Sequence, residues 1–149
     1  MPSGRKSWFV ATTLLIYTLD PTEPEKRRIA GDWLTRMIEI RTLVLSPQSL
    51  NECYRVLTER RKMMPQDDAR LFITGFMAFC TAPFGAEVIR RAWRVQDASA
   101  FGWWDCLLLA SALLAGCDGF LSEDLQHERT IDGMTILNPF KLGPPESLF

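Results

Sequence analysis

The apolar run from Cys106 to Cys117 carries Leu and Ala around every helical face, which predicts a buried helix. It is too long for a typical strand. Gly116 is placed to end that helix, Gly119-Phe120-Leu121 reads as a short buried strand, and Ser122-Glu123-Asp124 follows at the strand's carboxyl end. Nearer the amino end, Trp8 to Leu19 mixes β-branched, aromatic and Thr residues, a composition that predicts a first parallel strand buried on both faces. Asp20 to Pro24 is turn chemistry. From Glu25 onward, Ile29, Trp33, Met37 and Ile40 recur at spacings of three or four and predict an amphipathic helix, after which Leu43-Val44-Leu45 gives a second strand. This order implies a parallel crossover unit.

Ser46-Pro47 opens a further helix whose stripe is Leu50, Cys53, Tyr54 and Leu57, and Pro65 stops it. Gln66 to Phe79 and Ala86 to Val95 predict two more helices, and Met134 to Leu137 a final short strand. The alternation places the chain in the α/β class, where ligands gather at the carboxyl ends of strands. Two acids fall at such places. Asp105 stands at the mouth of the buried helix and Asp124 just beyond a strand. Each also has a local explanation: Asp105 suits an N-cap, Asp124 can start a turn, and Glu52 completes a capping box with Ser49.

The order Trp104-Asp105, apolar run, Ala115-Gly116-Cys117, Ser122-Glu123-Asp124 and finally Asn138-Pro139-Phe140 resembles the PIN-domain metal-dependent ribonucleases, especially the VapC-type toxins. Weaker correspondence reaches back to Phe9. The resemblance implies a three-layer α/β/α sandwich around a short, mainly parallel sheet, and one domain over residues 1–149. It also implies a carboxylate cluster of Glu52, Asp105 and Asp124 that binds Mg²⁺ or Mn²⁺, hard cations that prefer oxygen ligands. Ser122 would support the cluster by hydrogen bonding, and Glu123 is a less certain extra ligand. In the family the first acid opens a D-T-N pattern in the first strand. This chain reads Ala11-Thr12-Thr13, so position 11 has no ligand atom, while Thr13 keeps a polar group where Asn is usual. Two origins fit Ala11: replacement of an aspartate, as one would do to tolerate a toxic nuclease, or natural degeneracy. The intact state of the other acids favours replacement, and either origin implies weakened cation binding and little cleavage.

By the same resemblance the partners are an RNA substrate, a cognate antitoxin that blocks the site with an apolar helix and a basic side chain, and a second copy of the chain. Trp33 and Met37 are candidates for the antitoxin's groove. A different reading is a catalytically degenerate PIN-like module that binds RNA or protein. A third is an unrelated α/β domain with a small ligand, but Gly116 and Gly119 have neither P-loop nor dinucleotide spacing.

Composition changes this picture little. A formal charge of -1 excludes a basic coat but not a local basic groove, for which Lys26-Arg27-Arg28, Arg60-Arg61-Lys62 and Arg90-Arg91 with Arg94 are candidates. Cys53, Cys80, Cys106 and Cys117 form no C-x-x-C pair and read as reduced thiols of a cytoplasmic protein. Arg5-Lys6 before the apolar run imitates a secretory signal, yet no small-x-small cleavage site follows, and no stretch reaches the roughly 20 apolar residues of a membrane span. His127, the single histidine, reads as an exposed loop residue, and Trp103 and Trp104 as packing or base-stacking groups flanking the site.

Overall fold

The computed structural model describes residues 6–147, so Arg5 of the Arg5-Lys6 pair lies outside the described residues. Five strands form one sheet in the order β2-β1-β3-β5-β4: β1 Trp8–Val10, β2 Leu43–Val44, β3 Gly119–Leu121, β4 Thr130–Ile131 and β5 Met134–Leu137. All neighbours run parallel except β4, which pairs antiparallel with β5 at the edge. Six α-helices cover the sheet: α1 Thr12–Tyr17, α2 Pro24–Glu39, α3 Pro47–Arg55, α4 Gln66–Thr74, α5 Ala86–Ala98 and α6 Trp103–Leu114.

Side chains alternate across the pleat and so divide the core in two. Trp8, Val10, Leu121 and Leu137 pack against α1 to α4, while Phe9, Phe120 and Ile136 pack against α5 and α6. Phe9 and Phe120 stack across β1 and β3 with centroids 5.1 Å apart. The result is the three-layer α/β/α sandwich expected from the sequence. The short strands β3 and β5 fall where they were expected, and β4 is an addition that the two residues Thr130 and Ile131 did not announce.

The first strand is much shorter than expected. It ends at Val10, and the remainder of the run forms α1, which buries Thr12, Leu14, Leu15 and Ile16. A continuous apolar run does not distinguish a buried strand from a buried helix, and here tertiary packing overrides the β propensity of Thr and Ile. Trp33 and Met37 of α2 are 1% and 0% exposed, so neither lines a partner groove; the core claims both. The helix expected over Gln66 to Phe79 breaks after Thr74 and resumes as a 3₁₀ turn, Met77–Phe79. α6 starts at Trp103 and ends at Leu114, where Gly116 takes φ +77° and the Cys117 amide donates to the Ala112 carbonyl 3.0 Å away. That is a Schellman ending, for which glycine is suited.

Gly119 lies opposite Trp8 in the β1–β3 register, and a Cβ added there would sit 1.9 Å from Trp8 Cζ3 and 2.1 Å from Cε3. Trp8 is 4% exposed and has little room to yield. Gly119→Ala should therefore cost roughly 1–3 kcal/mol by overpacking. A thermal melt checks it: at this chain length each kcal/mol lowers Tm by about 2–4 °C.

Candidate metal centre

β1 and β3 end side by side, with Val10 paired to Leu121, and the Ala11 amide donating to the Leu121 carbonyl at 3.0 Å. The chain leaves these two ends in opposite ways. After β1, Ala11 is the N-cap of α1, with φ -70° and ψ 154°, and it supplies no side-chain cap. After β3, buried Ser122 accepts the Asp124 backbone N–H on its Oγ at 3.1 Å, which fixes the turn that presents Asp124. Ser122 thus fixes the backbone that carries Asp124.

Glu52 comes from α3, one sheet position away. The local explanation of Glu52 fails, because the capping box at this helix is made by Ser46 and Ser49 and leaves Glu52 a turn inside the helix. Its Oε1 accepts from Gln48 Nε2 at 3.1 Å, and its Oε2 lies 3.3 Å from Thr12 Oγ1. Thr12 is equally close to the Ser49 carbonyl, so one hydroxyl proton serves two acceptors. The residue that meets Glu52 is therefore Thr12, whereas Thr13 lines a groove of about 470 Å³ with Asp20, Arg60 and Arg61.

Asp105 sits in the first turn of α6 but is not its cap; Gly102 is, and no side chain caps the helix. Its carboxyl is pushed above the usual range, first by burial, then by the charge of Asp124, then by that of Glu52. Asp124 is likewise raised, by burial first and the neighbouring Glu123 second, with Lys26 acting in the opposite direction. Acids drawn from α3, α6 and the end of β3 thus share one electrostatic neighbourhood. Among the described residues, no three His, Cys, Asp or Glu side chains converge closely enough to close on one metal ion.

Glu123 turns away from this group. It accepts from Lys26 Nζ at 2.8 Å and from the Tyr17 hydroxyl, and Lys26 in turn lies 5.0 Å from the Tyr17 ring centroid and 5.3 Å from that of Phe140. The Lys26 ammonium is stabilised in its charged form chiefly by Glu123. Asn138-Pro139-Phe140 closes the arrangement, with Asn138 Oδ1 accepting the Phe140 N–H at 2.9 Å. The Tyr17, Lys26 and Asn138 contacts were not foreseen. Only the Asn-Pro-Phe order hinted at them.

His127 is not the exposed loop residue expected. Its Nδ1 accepts the Asn138 N–H at 2.9 Å and its side chain is 18% exposed, which assigns it to fixing the end of β5. Of the basic clusters, Lys26, Arg28, Arg61 and Arg91 are held in ion pairs, while Arg90 and Arg94 stand exposed on α5 beside Trp93. Trp104 is 66% exposed and Trp103 partly buried. All four cysteines are free thiols, and burial pushes Cys53 and Cys117 up to about 12, which makes both unreactive near neutrality. No helix among the described residues is long and apolar enough to cross a membrane.

Asp20, expected only as a turn residue, is a buried tie between the segment after α1 and Arg61, which follows the π-helical turn Val56–Arg60 beyond α3. Its carboxylate accepts from Thr22 Oγ1 at 2.6 Å, from the Thr22 amide at 3.0 Å and from Arg61 at 2.9 Å, and these bonds lower it to about 2. A depressed acid adds stability that is present above its unfolded value, near 3.8, and is lost as pH falls toward about 2. Asp20→Asn should flatten this acid limb between those two values in urea melts run as a function of pH, and leave the slope above about pH 5 unchanged.

Known proteins share this fold. The PIN domain family model matches residues 9–132. Among solved structures, VapBC2 from Rickettsia felis, bound to a DNA fragment from its promoter, superposes with a TM-score of 0.62 at 14% identity, covering 88% of this chain and 97% of that one. Mycobacterium tuberculosis VapC20, a toxin that cleaves the sarcin-ricin loop, superposes with a TM-score of 0.54 at 16% identity, covering 76% of this chain and 87% of that one. The curated protein sequences contain no match.

Proposed function

This chain belongs to the PIN domain family, and from that membership we propose that it is an endoribonuclease toxin of a toxin–antitoxin pair, dependent on Mg²⁺ or Mn²⁺ and impaired at Ala11. One observation supports the reading: the Asp105 carboxyl is raised by burial and then by the charges of Asp124 and Glu52, so acids far apart in the sequence lie within electrostatic reach of Asp105 near the carboxyl ends of the strands. The donor set fits the group. It offers carboxylate oxygens and no imidazole or thiolate, which suits a hard cation.

Glu52, Asp105 and Asp124 would hold the ion, with the fourth carboxylate missing at position 11. When bound, the ion supplies an activated water and a counter-charge for the phosphate. The chain's own residues supply order. Thr12 and Gln48 hold Glu52, Ser122 holds the backbone of Asp124, and Lys26 with Tyr17 keeps Glu123 aside. The reaction would be hydrolysis of an RNA phosphodiester, leaving a 3′-hydroxyl and a 5′-phosphate. Raised carboxyls are consistent with a site that becomes stable only when a cation or a basic side chain enters it. An antitoxin bearing an apolar helix and a basic side chain meets that demand, and a homodimer is the assembly that the family resemblance implies.

Ala11 favours one competing reading, a PIN module that binds RNA or protein without cutting. The two are separated by incubating a broad RNA pool with the chain and with its Ala11→Asp form in Mg²⁺ or Mn²⁺, with an EDTA control and mapping of the product ends. Failure of both forms to cut supports the binding module.

A further inference from the structure

Gln48 is 6% exposed, and its side-chain nitrogen spends both protons across an inter-helix gap: one on Glu52 Oε1 and one on the Trp104 carbonyl, each at 3.1 Å. The two acceptors decide the amide's orientation. Turned over, the carboxamide would set its oxygen against a carboxylate and a carbonyl. In the orientation adopted, Gln48 Oε1 is buried with no hydrogen-bond partner. A buried, unsatisfied carbonyl lowers stability, so packing alone does not account for this residue.

What the amide does accomplish is geometric. Gln48 lies one turn before Glu52 on α3, and Trp104 is the residue before Asp105 on α6, so a single side chain links the helix that carries one acid to the turn that carries another. Glu52 is then held on both oxygens, by Gln48 on one and Thr12 on the other, and has only the remaining lone pairs to turn outward. We propose that Gln48 is a positioning residue that sets Glu52 and the Asp105 turn in register for a divalent cation. The inference rests on the reading of Glu52 and Asp105 as cation ligands.

The test measures Mn²⁺ affinity by calorimetry for the chain, for its Ala11→Asp form, and for Gln48→Met and Glu52→Gln alone and together in whichever parent binds. Groups that orient a ligand typically change metal affinity about 10- to 100-fold when removed, so Gln48→Met should weaken Mn²⁺ by at least about tenfold. It removes an unsatisfied carbonyl but also two hydrogen bonds, so its melting curve in EDTA is recorded beside the affinity to show that the variant is folded. Acting in part through Glu52, its effect should shrink when Glu52→Gln is already present, a coupling that a merely structural residue would not give. Unchanged affinity in Gln48→Met, or a loss that persists undiminished in the double variant, overturns the positioning role while leaving the cation reading intact. Absence of Mn²⁺ binding in both parents overturns the cation reading and this inference with it.

Discussion

Ala11→Asp should convert the chain into a cation-dependent ribonuclease, with a cleavage rate at least about 10³-fold above the parent, since a correctly held divalent ion supplies several kcal/mol of transition-state stabilisation and each 1.4 kcal/mol is about tenfold. EDTA should abolish the gain. The backbone at position 11 is already prepared for the change. It has the extended φ/ψ of an N-cap, its amide is paired with Leu121, and α1 starts there without any side-chain cap. Alanine is among the poorest N-caps, and aspartate in its place stabilises a helix by about 1 kcal/mol. Against that gain stands electrostatics. Position 11 is 8% exposed and adjoins the strand end that leads to Asp124, so a fourth carboxylate adds charge beside Asp124 and Asp105, whose carboxyls are already raised, that of Asp105 by burial and then by Asp124 and Glu52. Without a cation the repulsion should win and the Ala11→Asp form should melt below the parent. With Mn²⁺ the order should reverse, because a ligand at about 100 times its Kd stabilises by about 2.7 kcal/mol. Differential scanning calorimetry in EDTA and in Mn²⁺ reads both signs. Equal cleavage by the two forms would show that position 11 is not a ligand position.

How legible this was in the sequence varied with the length scale of the interaction. Helix α6, strand β3 and strand β5 were readable because their signals are local: an all-apolar helical run, a glycine stop, short apolar pieces. The error in β1 came from the same locality, since Thr12 to Tyr17 carry the apolar and β-branched character of a buried strand but wind into a helix under tertiary control. Glu52 shows the opposite case. A local motif offered it a capping role, and the fold gave that role to Ser46 and Ser49, leaving the acid for long-range contacts with Thr12. Gln48, Thr12, Lys26 and Tyr17 carried no signal at all. Their defining partners are distant in the chain, as in Thr12 with Glu52, Lys26 and Tyr17 with Glu123, and Gln48 with the Trp104 carbonyl, and nothing in spacing or composition ties such pairs together.

Asp105→Asn should raise stability at neutral pH and abolish cation-dependent stabilisation. Two effects oppose each other at this side chain. A negative charge in the first turn of α6 gains roughly 0.3–1 kcal/mol from the exposed amides of the helix start. Burial and the charges of Asp124 and Glu52 act the other way, and the raised carboxyl shows that they prevail. The pH dependence follows from the sign. An acid with a folded value above its unfolded value costs stability once it is ionised, and that cost fades as pH falls through the folded value toward the unfolded one. The Asn variant should therefore melt higher than the parent near pH 7 and should converge with it below about pH 4. In the Ala11→Asp background the same substitution should erase the rise in Tm on adding Mn²⁺, because a neutral amide replaces a charged ligand in an already small set. Melting curves over roughly pH 3 to 8, with and without Mn²⁺, separate these outcomes. A lower Tm for Asp105→Asn near pH 7, with Mn²⁺ protection intact, would place Asp105 as a helix-start residue and remove it from the cation site.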